Sequence, residues 1–338
     1  MKTPLKIAII RLSSLGDIIH SASVLPLLLE SLKATYEVTL HWYVDSIFGE
    51  ILEDSPCIDK LIALPLKRAI ASKDFQCLRS IYRTLKQESY DVALDLQGLL
   101  KSALVSKLLR TNKIVGFQQT KESLATLFYN QKIPISYEEH ILLRNATLAL
   151  GAFRINPPSL ESLKNPQCFL GFQNTPLPFE LPQGKKILCV LETSKPNKTY
   201  PLESFVALAS LLNTKGWIPL FLSRFRLEIP NPKNAQFQSI NNLTLNRVKT
   251  LVAQMDLVIG GDTGITHLAW ALHRPSITLF GATPPQRFNL HTPHNLYLSA
   301  NPKANYQKDD FSIREILPNS LYELVCELLV NQDSKEAL

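Results

Sequence analysis

The amino-acid sequence predicts an α/β protein with two domains, each built on a parallel β-sheet. Short apolar runs that suit buried strands alternate with helical patterns along most of the 338 residues, and this alternation is typical of strand–helix–strand units. Residues 166–185 interrupt it, because they are rich in Pro, Asn and Gln and have no periodicity. We therefore predict domains at residues 1–165 and 186–338, joined by a linker at 166–185, with a ligand in the cleft at the carboxyl ends of the strands.

The elements of the first domain follow from its apolar spacing. A buried-strand pattern at Lys6–Arg11 is followed by a helical run to about Leu32. The remaining predicted elements are strands at Val38–Val44, Asp59–Leu64, Val92–Leu96 and Lys113–Phe117, and helices at Phe75–Gln87 and Gly98–Leu109.

The same alternation restarts in the second domain. The predicted strands are Lys186–Leu191, Trp217–Leu222, Leu257–Gly260 and Ser276–Phe280, and the predicted helices are Leu202–Asn213, Leu245–Met255 and Gly264–Leu272. A final amphipathic helix is predicted at Asn319–Asn331, with the option of packing back on the amino-terminal domain.

Composition narrows the class of protein. Apolar residues make up 45% of the chain and charged residues 19%, which is the balance of a soluble globular protein. We expect no membrane span, which would need about 18 apolar residues in a row, and the short apolar run before Arg11 is unlike a signal peptide. A cytoplasmic protein is therefore expected, and we separately predict a monomer. The five scattered cysteines form no Cys-x-x-Cys pair, so neither a zinc site nor a disulfide framework is indicated.

The formal charge of +7 is spread over both domains, with one local concentration. Six basic residues lie close together in the sequence, with only Asp74 against them: Lys67, Arg68, Lys73, Arg79, Arg83 and Lys86. Such a cluster suits the phosphates of a nucleic acid, a nucleotide or an anionic membrane. A solvated helix face explains it equally well.

The first segment that could carry chemistry is R-L-S-S-L-G-D, residues 11–17, where the first strand turns into the first helix. Gly16 permits a tight turn, and Asp17 lies in the first helical turn, where the helix dipole favours its ionised form. An ionised carboxylate at the edge of a cleft suits a general base. The alternative is that Ser14 and Asp17 only cap the helix.

The second segment is G-G-D-T-G-I-T-H, residues 260–267, again between a strand and a helix. The backbone N–H groups of Thr263 and Gly264 would open the helix and could hold a diphosphate. Asp262 would repel phosphate but could bind sugar hydroxyls, and His267 fits either a ligand contact or a packed position. In a third segment, residues 192–201, the side chains of Thr193, Ser194 and Lys198 could donate hydrogen bonds to phosphate oxygens.

Several familiar sites are missing from the sequence. There is no Asp-x-Asp clamp and no cluster of metal ligands, so we predict no metal and no cofactor. The segment at residues 11–17 is not Gly-x-Gly-x-x-Gly, which disfavours a nicotinamide oxidoreductase. No recognisable nucleic-acid-binding module accompanies the +7 charge. A nucleic-acid-binding protein therefore stays only as the alternative from a different class.

Four blocks together resemble the lipopolysaccharide heptosyltransferases, glycosyltransferase family 9. They are IAIIRLSSLGDIIH at Ile7–His20, DLQGLLKSA at Asp95–Ala103, ESLATLFYN at Glu122–Asn130 and DTGITHLAWALHRPSITLFGAT at Asp262–Thr283. The third block is similar to the members that add the first heptose. The resemblance implies a GT-B fold, in which two Rossmann-like domains face each other across a cleft. It also implies an inverting, metal-independent transfer from ADP-heptose to the Kdo of Kdo-lipid A at the cytoplasmic face of the inner membrane.

The resemblance also implies a role for each matching residue. Asp17 matches the catalytic base, and Lys198 matches the lysine that contacts the donor phosphate and stabilises developing charge. The acceptor-binding residues it implies are Arg11, Lys67, Arg68 and Lys121. The donor-binding residues are Ser14, Gly16, Thr193, Ser194, Lys198, Glu228, Asp262, Thr263, Gly264 and His267.

This sequence departs from the family pattern at three places. Tyr200 stands where Trp is frequent, Lys121 stands where Arg is common, and the stretch around Glu228 lacks the usual Trp-Gly. Lysine cannot bind a carboxylate in the bidentate way that arginine does. The alternative within the family is addition of the second heptose to the first.

Overall fold

Two six-stranded parallel sheets carry the fold, one in each of two units that divide between residues 172 and 173. The computed structural model describes residues 2–171, 173–232 and 234–336, with side chains up to residue 329. The predicted α/β class with two parallel sheets is therefore confirmed. The boundary between the units lies inside the stretch 166–185 that the sequence predicts as a linker.

The amino-terminal sheet has the strand order β3-β2-β1-β4-β5-β6. Its strands are β1 (Thr3–Ile10), β2 (Tyr36–Asp45), β3 (Lys60–Leu64), β4 (Val92–Asp95), β5 (Ile114–Phe117) and β6 (Gln131–Ile133). Its helices are α1 (Leu15–Ala22), α2 (Leu25–Leu32), α3 (Leu66–Ala71), α4 (Phe75–Leu85), α5 (Leu100–Leu108), α6 (Ile141–Gly151) and α7 (Leu160–Leu163). Short 3₁₀ segments lie at Ser46–Ile51 and Ser123–Phe128.

Alternate side chains of these strands point to opposite faces of the sheet. Ala8 and Ile10 share one core with buried residues of α3, α4 and α5 and with Ala125 of the second 3₁₀ segment. Ile7 and Ile9, also fully buried, point to the other face. There α2 packs on β2, and α6 packs on α1, β5 and β6.

The carboxyl-terminal sheet has the order β12-β11-β10-β7-β8-β9. Its strands are β7 (Ile187–Val190), β8 (Leu220–Leu222), β9 (Gln238–Ile240), β10 (Leu257–Gly261), β11 (Ser276–Phe280) and β12 (Asn295–Ser299). Its helices are α8 (Leu202–Asn213), α9 (Leu245–Ala253), α10 (Gly264–Ala271), α11 (Pro285–Phe288) and α12 (Pro318–Glu336), and short 3₁₀ segments lie at Pro196–Lys198 and Ser312–Glu315. Counted from β7, the strand order is the same as in the first unit, so one topology is used twice.

The final helix, α12, packs along α8 within the carboxyl-terminal unit. Leu321, Val325 and Leu329 belong to the same core as Phe205 and Leu212 of α8. The option that the final helix packs on the amino-terminal domain stays a prediction.

One segment, Leu15–Leu32, is long and apolar enough on average to cross a membrane, with a mean hydropathy of 1.3. Asp17 and Glu30 interrupt it, so it is not the continuous apolar run that the sequence was expected to lack. The structure divides it into α1 and α2, which are separated by Ser23 and Val24. Leu25, Leu28 and Leu32 are buried in the unit, as in the core helices of soluble proteins.

Candidate active-site residues at two switch points

In each sheet the strand order reverses direction once, between β1 and β4 in the first unit and between β7 and β10 in the second. We call the place where the order reverses the switch point. Loops leaving the carboxyl ends of its two strands diverge and open a crevice, where ligands of α/β proteins commonly bind. The sequence segments that could carry chemistry leave β1, β7 and β10.

In the amino-terminal unit, Asp17 forms an ion pair with a buried arginine. The guanidinium Nη2 of Arg11 lies 2.9 Å from Asp17 Oδ1, and the Arg11 Nη1 group donates to the backbone carbonyl of Leu96. The Ser14 hydroxyl donates to Asp17 Oδ2 over 2.7 Å, and the Ser14 backbone N–H donates to the same oxygen over 3.3 Å. The side chain of Asp17 remains 32% exposed, so it is held in place and still open to solvent.

These contacts set the protonation state of Asp17. Desolvation by burial works to raise its pKa, but the Arg11 charge and the Ser14 hydrogen bonds outweigh it and hold the pKa of Asp17 below its ordinary value. The carboxylate therefore stays ionised at neutral pH. Asp17 does cap α1, as the alternative interpretation of the sequence proposed, and the capping leaves it exposed enough to accept a proton as well.

The loop after β4 joins this site from a distant part of the sequence. The Leu12 backbone N–H donates to the Gln97 side chain over 2.8 Å, and Lys101 Nζ donates to the Ser13 hydroxyl over 2.8 Å. Buried Asp95 anchors the loop by accepting from the Gln97 and Gly98 backbones and from the hydroxyls of Ser102 and Tyr129. Burial nevertheless raises the pKa of Asp95.

Lys101 is a site residue that the sequence analysis missed. Desolvation, opposed by Asp45 and reinforced by the like charges of Arg11 and Lys67, lowers its pKa. These interactions place Lys101 within electrostatic range of two predicted acceptor-binding residues. The signal for it was the parallel topology, because β1 and β4 are adjacent strands and their loops must meet.

The other predicted basic residues of this unit are solvent-exposed. The backbone N–H of Lys67 donates to Asp45 at the end of β2 over 2.8 Å, and Arg68 follows it on α3. Lys121 lies after β5, and the side chain of the preceding Thr120 lies next to Gly98, where a Cβ atom would be 3.1 Å from Thr120 Cγ2. Gly16 is the second residue of α1. The structure therefore brings Lys67, Lys101 and Lys121 to the carboxyl edge of the sheet.

In the carboxyl-terminal unit, Asp262 contacts both Lys198 and His267. Lys198 Nζ lies 2.5 Å from Asp262 Oδ2, and His267 Nε2 lies 3.0 Å from Asp262 Oδ1. The side chain of Asp262 is only 8% exposed. Burial opposes its ionisation, but Lys198 and His267 outweigh burial and hold the pKa of Asp262 well below its usual range. The aspartate fixes Lys198 at the start of α10.

Gly261, at the end of β10, lets the backbone of Lys198 approach the strand closely. A Cβ atom on Gly261 would lie 2.2 Å from the backbone carbonyl oxygen of Lys198 and 2.9 Å from Thr193 Cγ2. The Thr193 hydroxyl donates to the Lys195 carbonyl over 2.7 Å, and it lies 3.0 Å from the Thr199 hydroxyl. The 3₁₀ segment that carries Lys198 is therefore packed directly against the end of β10.

Helix α10 begins at Gly264, immediately after Thr263. The Thr266 hydroxyl donates to the carbonyls of Gly261 and Thr263 over 3.1 and 2.8 Å, which keeps the turn tight. Helix N-termini present free N–H groups and positive potential to anions. With Lys198 beside it, this turn is suited to a diphosphate.

The remaining donor-site predictions lie further out. Ser194 is exposed in the loop after β7, and Glu228 is exposed in the loop after β8. Tyr200, which stands where the family often has Trp, is buried and donates to the Ile316 carbonyl over 2.8 Å. Within the described residues, no three Asp, Glu, His or Cys side chains are grouped as metal ligands are.

Comparison with known proteins places these features in a family. The family model for glycosyltransferase family 9 (heptosyltransferase) matches residues 78–317. The lipopolysaccharide heptosyltransferase 1 of Campylobacter coli is 37% identical over 96% of this chain and 99% of its own length. The enzyme of the same name from Escherichia coli K12 is 29% identical over 83% of this chain and 89% of its own length.

Solved structures show the same fold. The Escherichia coli heptosyltransferase WaaC, solved with ADP, has a TM-score of 0.77 at 21% identity and covers 96% of this chain and 100% of its own. Escherichia coli ADP-heptose lipopolysaccharide heptosyltransferase II has a TM-score of 0.72 at 18% identity, covering 97% of this chain and 100% of its own. The predicted GT-B class is confirmed by these likenesses.

Proposed function

The chain belongs to glycosyltransferase family 9, the heptosyltransferase family, and we propose that it transfers L-glycero-D-manno-heptose from ADP-heptose to the Kdo of Kdo-lipid A. Heptosyl transfer in lipopolysaccharide synthesis follows from its likeness to lipopolysaccharide heptosyltransferases over nearly the whole chain. One structural observation supports the finer statement. Each switch point holds an aspartate paired with a cation, one of them solvent-accessible and one of them buried.

Asp17 is the proposed general base. The Kdo hydroxyl oxygen bonds to the anomeric carbon of the heptose on the face opposite ADP, and its proton passes to Asp17. The bond from the anomeric carbon to the phosphate oxygen breaks, and its electron pair leaves with ADP, so the configuration is inverted. The transition state resembles an oxocarbenium ion, as in other glycosyl transfers.

The structure gives Asp17 what this role needs. Arg11 holds Oδ1 and keeps the carboxylate ionised, while Oδ2 bonds a neutral hydroxyl from Ser14. A substrate hydroxyl can replace or join that of Ser14, because an ionised carboxylate offers about four acceptor positions. Arg11 itself is buried and committed to Asp17 and Leu96. We therefore propose a positioning role for it, and its predicted contact with the acceptor remains to be tested.

Donor binding is assigned mainly to the carboxyl-terminal unit, with Ser14 and Gly16 as the donor contacts predicted in the amino-terminal unit. The diphosphate is bound by Lys198 and by the N–H groups of Thr263 and Gly264 at the start of α10, assisted by Thr193 and Ser194. Charge that develops on the leaving ADP is stabilised by groups already fixed in place, which is the most effective form of electrostatic catalysis. Asp262 and His267 hold Lys198 in position, and Glu228 is the proposed partner of the ribose.

Acceptor binding is assigned to the basic residues of the amino-terminal unit. Lys67, Arg68 and Lys121 lie exposed at the carboxyl edge of its sheet, where they can bind the Kdo carboxylate and lipid A phosphates. We propose that Lys101, which bonds Ser13 beside Asp17, joins them. An acceptor of this kind is anchored in a membrane, so the enzyme would act at the cytoplasmic face of the inner membrane. We propose that it attaches there peripherally and as a monomer.

A transfer assay with a panel of acceptors tests this function. ADP-heptose is offered with Kdo-lipid A and with heptosyl-Kdo-lipid A, and the anomeric configuration of the product is read by nuclear magnetic resonance. Turnover of the first acceptor with inversion is expected, and turnover of only the second would favour addition of the second heptose. A parallel reaction with EDTA should run at the same rate, and strong inhibition would refute the metal-independent scheme.

A further inference from the structure

Exposed apolar side chains of the amino-terminal unit are concentrated on one side of its sheet. Among the described residues, this unit exposes eight large hydrophobic side chains, and only Ile47 lies outside α3, α4, α5 and residues 119–128. The other seven are Ile70, Phe75, Tyr82, Leu104, Leu108, Leu124 and Leu127. We call α3, α4, α5, their flanking residues (66–86 and 100–110) and residues 119–128 the basic layer.

The basic layer also holds the largest local concentration of positive charge in the amino-terminal unit. Its residues include ten lysines and arginines and two acidic residues, a net charge of +8, whereas the whole chain has +7. The helices on the opposite face, α1, α2 and α6, contain one basic and two acidic residues. Within those three helices, no large hydrophobic side chain of the described chain is exposed. Apolar exposure and positive charge therefore coincide on a single face.

The most exposed leucines of the basic layer form a ridge. Residues three apart in a 3₁₀ helix lie directly above one another, so Leu124 and Leu127 of Ser123–Phe128 share one face. Their exposed fractions are 60% and 74%. Ala125, on another face of the same turn, is fully buried in the core. The turn is therefore anchored from beneath while two leucines project into solvent.

This ridge is tied to the catalytic loops. Glu122 accepts from the Leu100 backbone N–H over 2.7 Å, and the Tyr129 hydroxyl donates to Asp95 over 2.8 Å. Asp95 in turn anchors the loop that precedes Lys101. A surface that engages the ridge is thereby held at a fixed position relative to Lys101 and Asp17.

We propose that the ridge Leu124–Leu127 inserts into the acyl-chain boundary of an anionic bilayer while the basic layer binds its headgroups. Charge complementarity selects this occupant, because a protein partner for two isolated leucines would not need a surrounding charge of +8, whereas interfacial membrane binding combines apolar insertion with basic residues. The inference rests on the proposed function, since a lipid-anchored acceptor gives the insertion its purpose. It fixes the depth at which that acceptor meets Lys101.

The test uses the full chain and vesicles of phosphatidylethanolamine mixed with phosphatidylglycerol. Leu124→Ser with Leu127→Ser should weaken co-sedimentation by at least roughly tenfold, since each buried leucine contributes about that much to partitioning. Leu317→Ser in the carboxyl-terminal unit, where the leucine is similarly exposed, is the matched control and should bind as the wild type does. Arg79→Gln with Arg83→Gln should weaken binding only at low salt, because headgroup attraction is screened.

Two activity measurements separate this inference from the proposed function. The double leucine variant should transfer heptose to a deacylated, soluble acceptor at the wild-type rate and lose activity only on acceptor embedded in vesicles. Unchanged vesicle binding by that variant would overturn the insertion. A wild-type dimer that the double substitution converts to a monomer would overturn it as well, because the ridge would then be an interface between two copies of the chain. Failure of the wild type on every acceptor, with vesicle binding intact, would count against the proposed function alone.

Discussion

Asp17 and Asp262 lie at the switch points of two sheets with the same strand order, and their surroundings differ in a way that separates two roles. Asp17 is 32% exposed and shares its oxygens between one cation and a neutral serine hydroxyl. Asp262 is 8% exposed and has Lys198 on one oxygen and His267 on the other. A neutral hydroxyl can be exchanged for a substrate hydroxyl at little cost, whereas separating Asp262 from Lys198 would leave a charge buried without its partner.

A low pKa does not by itself identify a carboxylate as a general base. Neighbouring cations hold the pKa of both carboxyls below its ordinary value, so both are ionised at neutral pH. Access decides which one can take a proton from a substrate. In the proposed mechanism, the buried aspartate therefore orients Lys198 for the donor, and the accessible one acts on the acceptor.

The largest effect is expected from Asp17→Asn, which removes the base and keeps the shape. Transfer should fall by about 10³-fold, within the range that general-base catalysis contributes. ADP should bind nearly as before, because the proposed diphosphate contacts, Lys198 and the start of α10, lie in the other unit. The matched comparison is Asp262→Asn, in which Lys198 keeps its charge but loses its anionic partner. Transfer should fall by less than in Asp17→Asn, whereas the unfolding free energy should drop because one half of a buried ion pair is removed. Equal losses in the two variants would show that the comparison is wrong. Initial rates and ADP calorimetry measure both quantities.

Lys198→Met ranks second. It removes the charge that stabilises leaving ADP, so the rate should fall by about 10²-fold, and ADP affinity should fall with it. The variant also removes the cation that pairs with buried Asp262, so the unfolding free energy should drop. Lys198→Met combined with Asp262→Asn should recover stability without recovering activity. Recovered activity in the double variant would contradict a catalytic role for Lys198.

Gly261→Ala tests how tightly the donor site is packed. Its new Cβ would meet the Lys198 carbonyl at 2.2 Å, so the 3₁₀ segment must shift. We expect the unfolding free energy to fall by about 1–3 kcal/mol, with weaker ADP binding. Gly49→Ala is the control, since its Cβ would meet Ala63 Cβ at an ordinary 3.5 Å. Denaturant titration and calorimetry compare the two, and equal behaviour would refute the tight packing of Lys198 against β10.

The sequence predicts the core strands and the helices beside them, because their apolar periodicity is strong. It misses β6 and β9, which have only three residues each and are too short to show a period. It also misses α6 and the edge strand β12. Strand β12 lies at the edge of its sheet, where less continuous apolar sequence is needed, whereas α6 is an apolar and largely buried helix whose omission has no such reason.

The candidate site was predictable in its residues and unpredictable in its pairings. Asp17, Lys198 and Asp262 all lie in segments whose residue types suit their chemistry. Neither the pairing of Lys198 with Asp262, 64 positions apart, nor that of Lys101 with Ser13, 88 apart, leaves a local signal. Both arise because adjacent parallel strands bring distant loops together, which only the strand order reveals.

The smallest effect at neutral pH is expected from Arg11→Met, and it decides how Arg11 works. Arg11 lowers the pKa of Asp17. In the wild type, the acid limb of the pH–rate profile, where activity is lost as Asp17 is protonated, should therefore lie below the ordinary aspartate pKa of 3.8. Removing this adjacent cation should move the limb to higher pH, with little change in rate at pH 7. Arg11→Lys should restore the low limb.

The same substitution has a stability consequence with a definite sign. A carboxyl whose pKa is lower in the folded protein adds stability above its unfolded pKa and loses it as the pH falls through the folded value. The Asp17 contribution is therefore present above about pH 4, and it should shrink in Arg11→Met and return in Arg11→Lys. If Arg11 instead binds the acceptor directly, Arg11→Met would raise the KM for Kdo-lipid A at pH 7 and leave the acid limb in place. A pH–rate profile with acceptor titrations distinguishes positioning of the base from contact with the substrate.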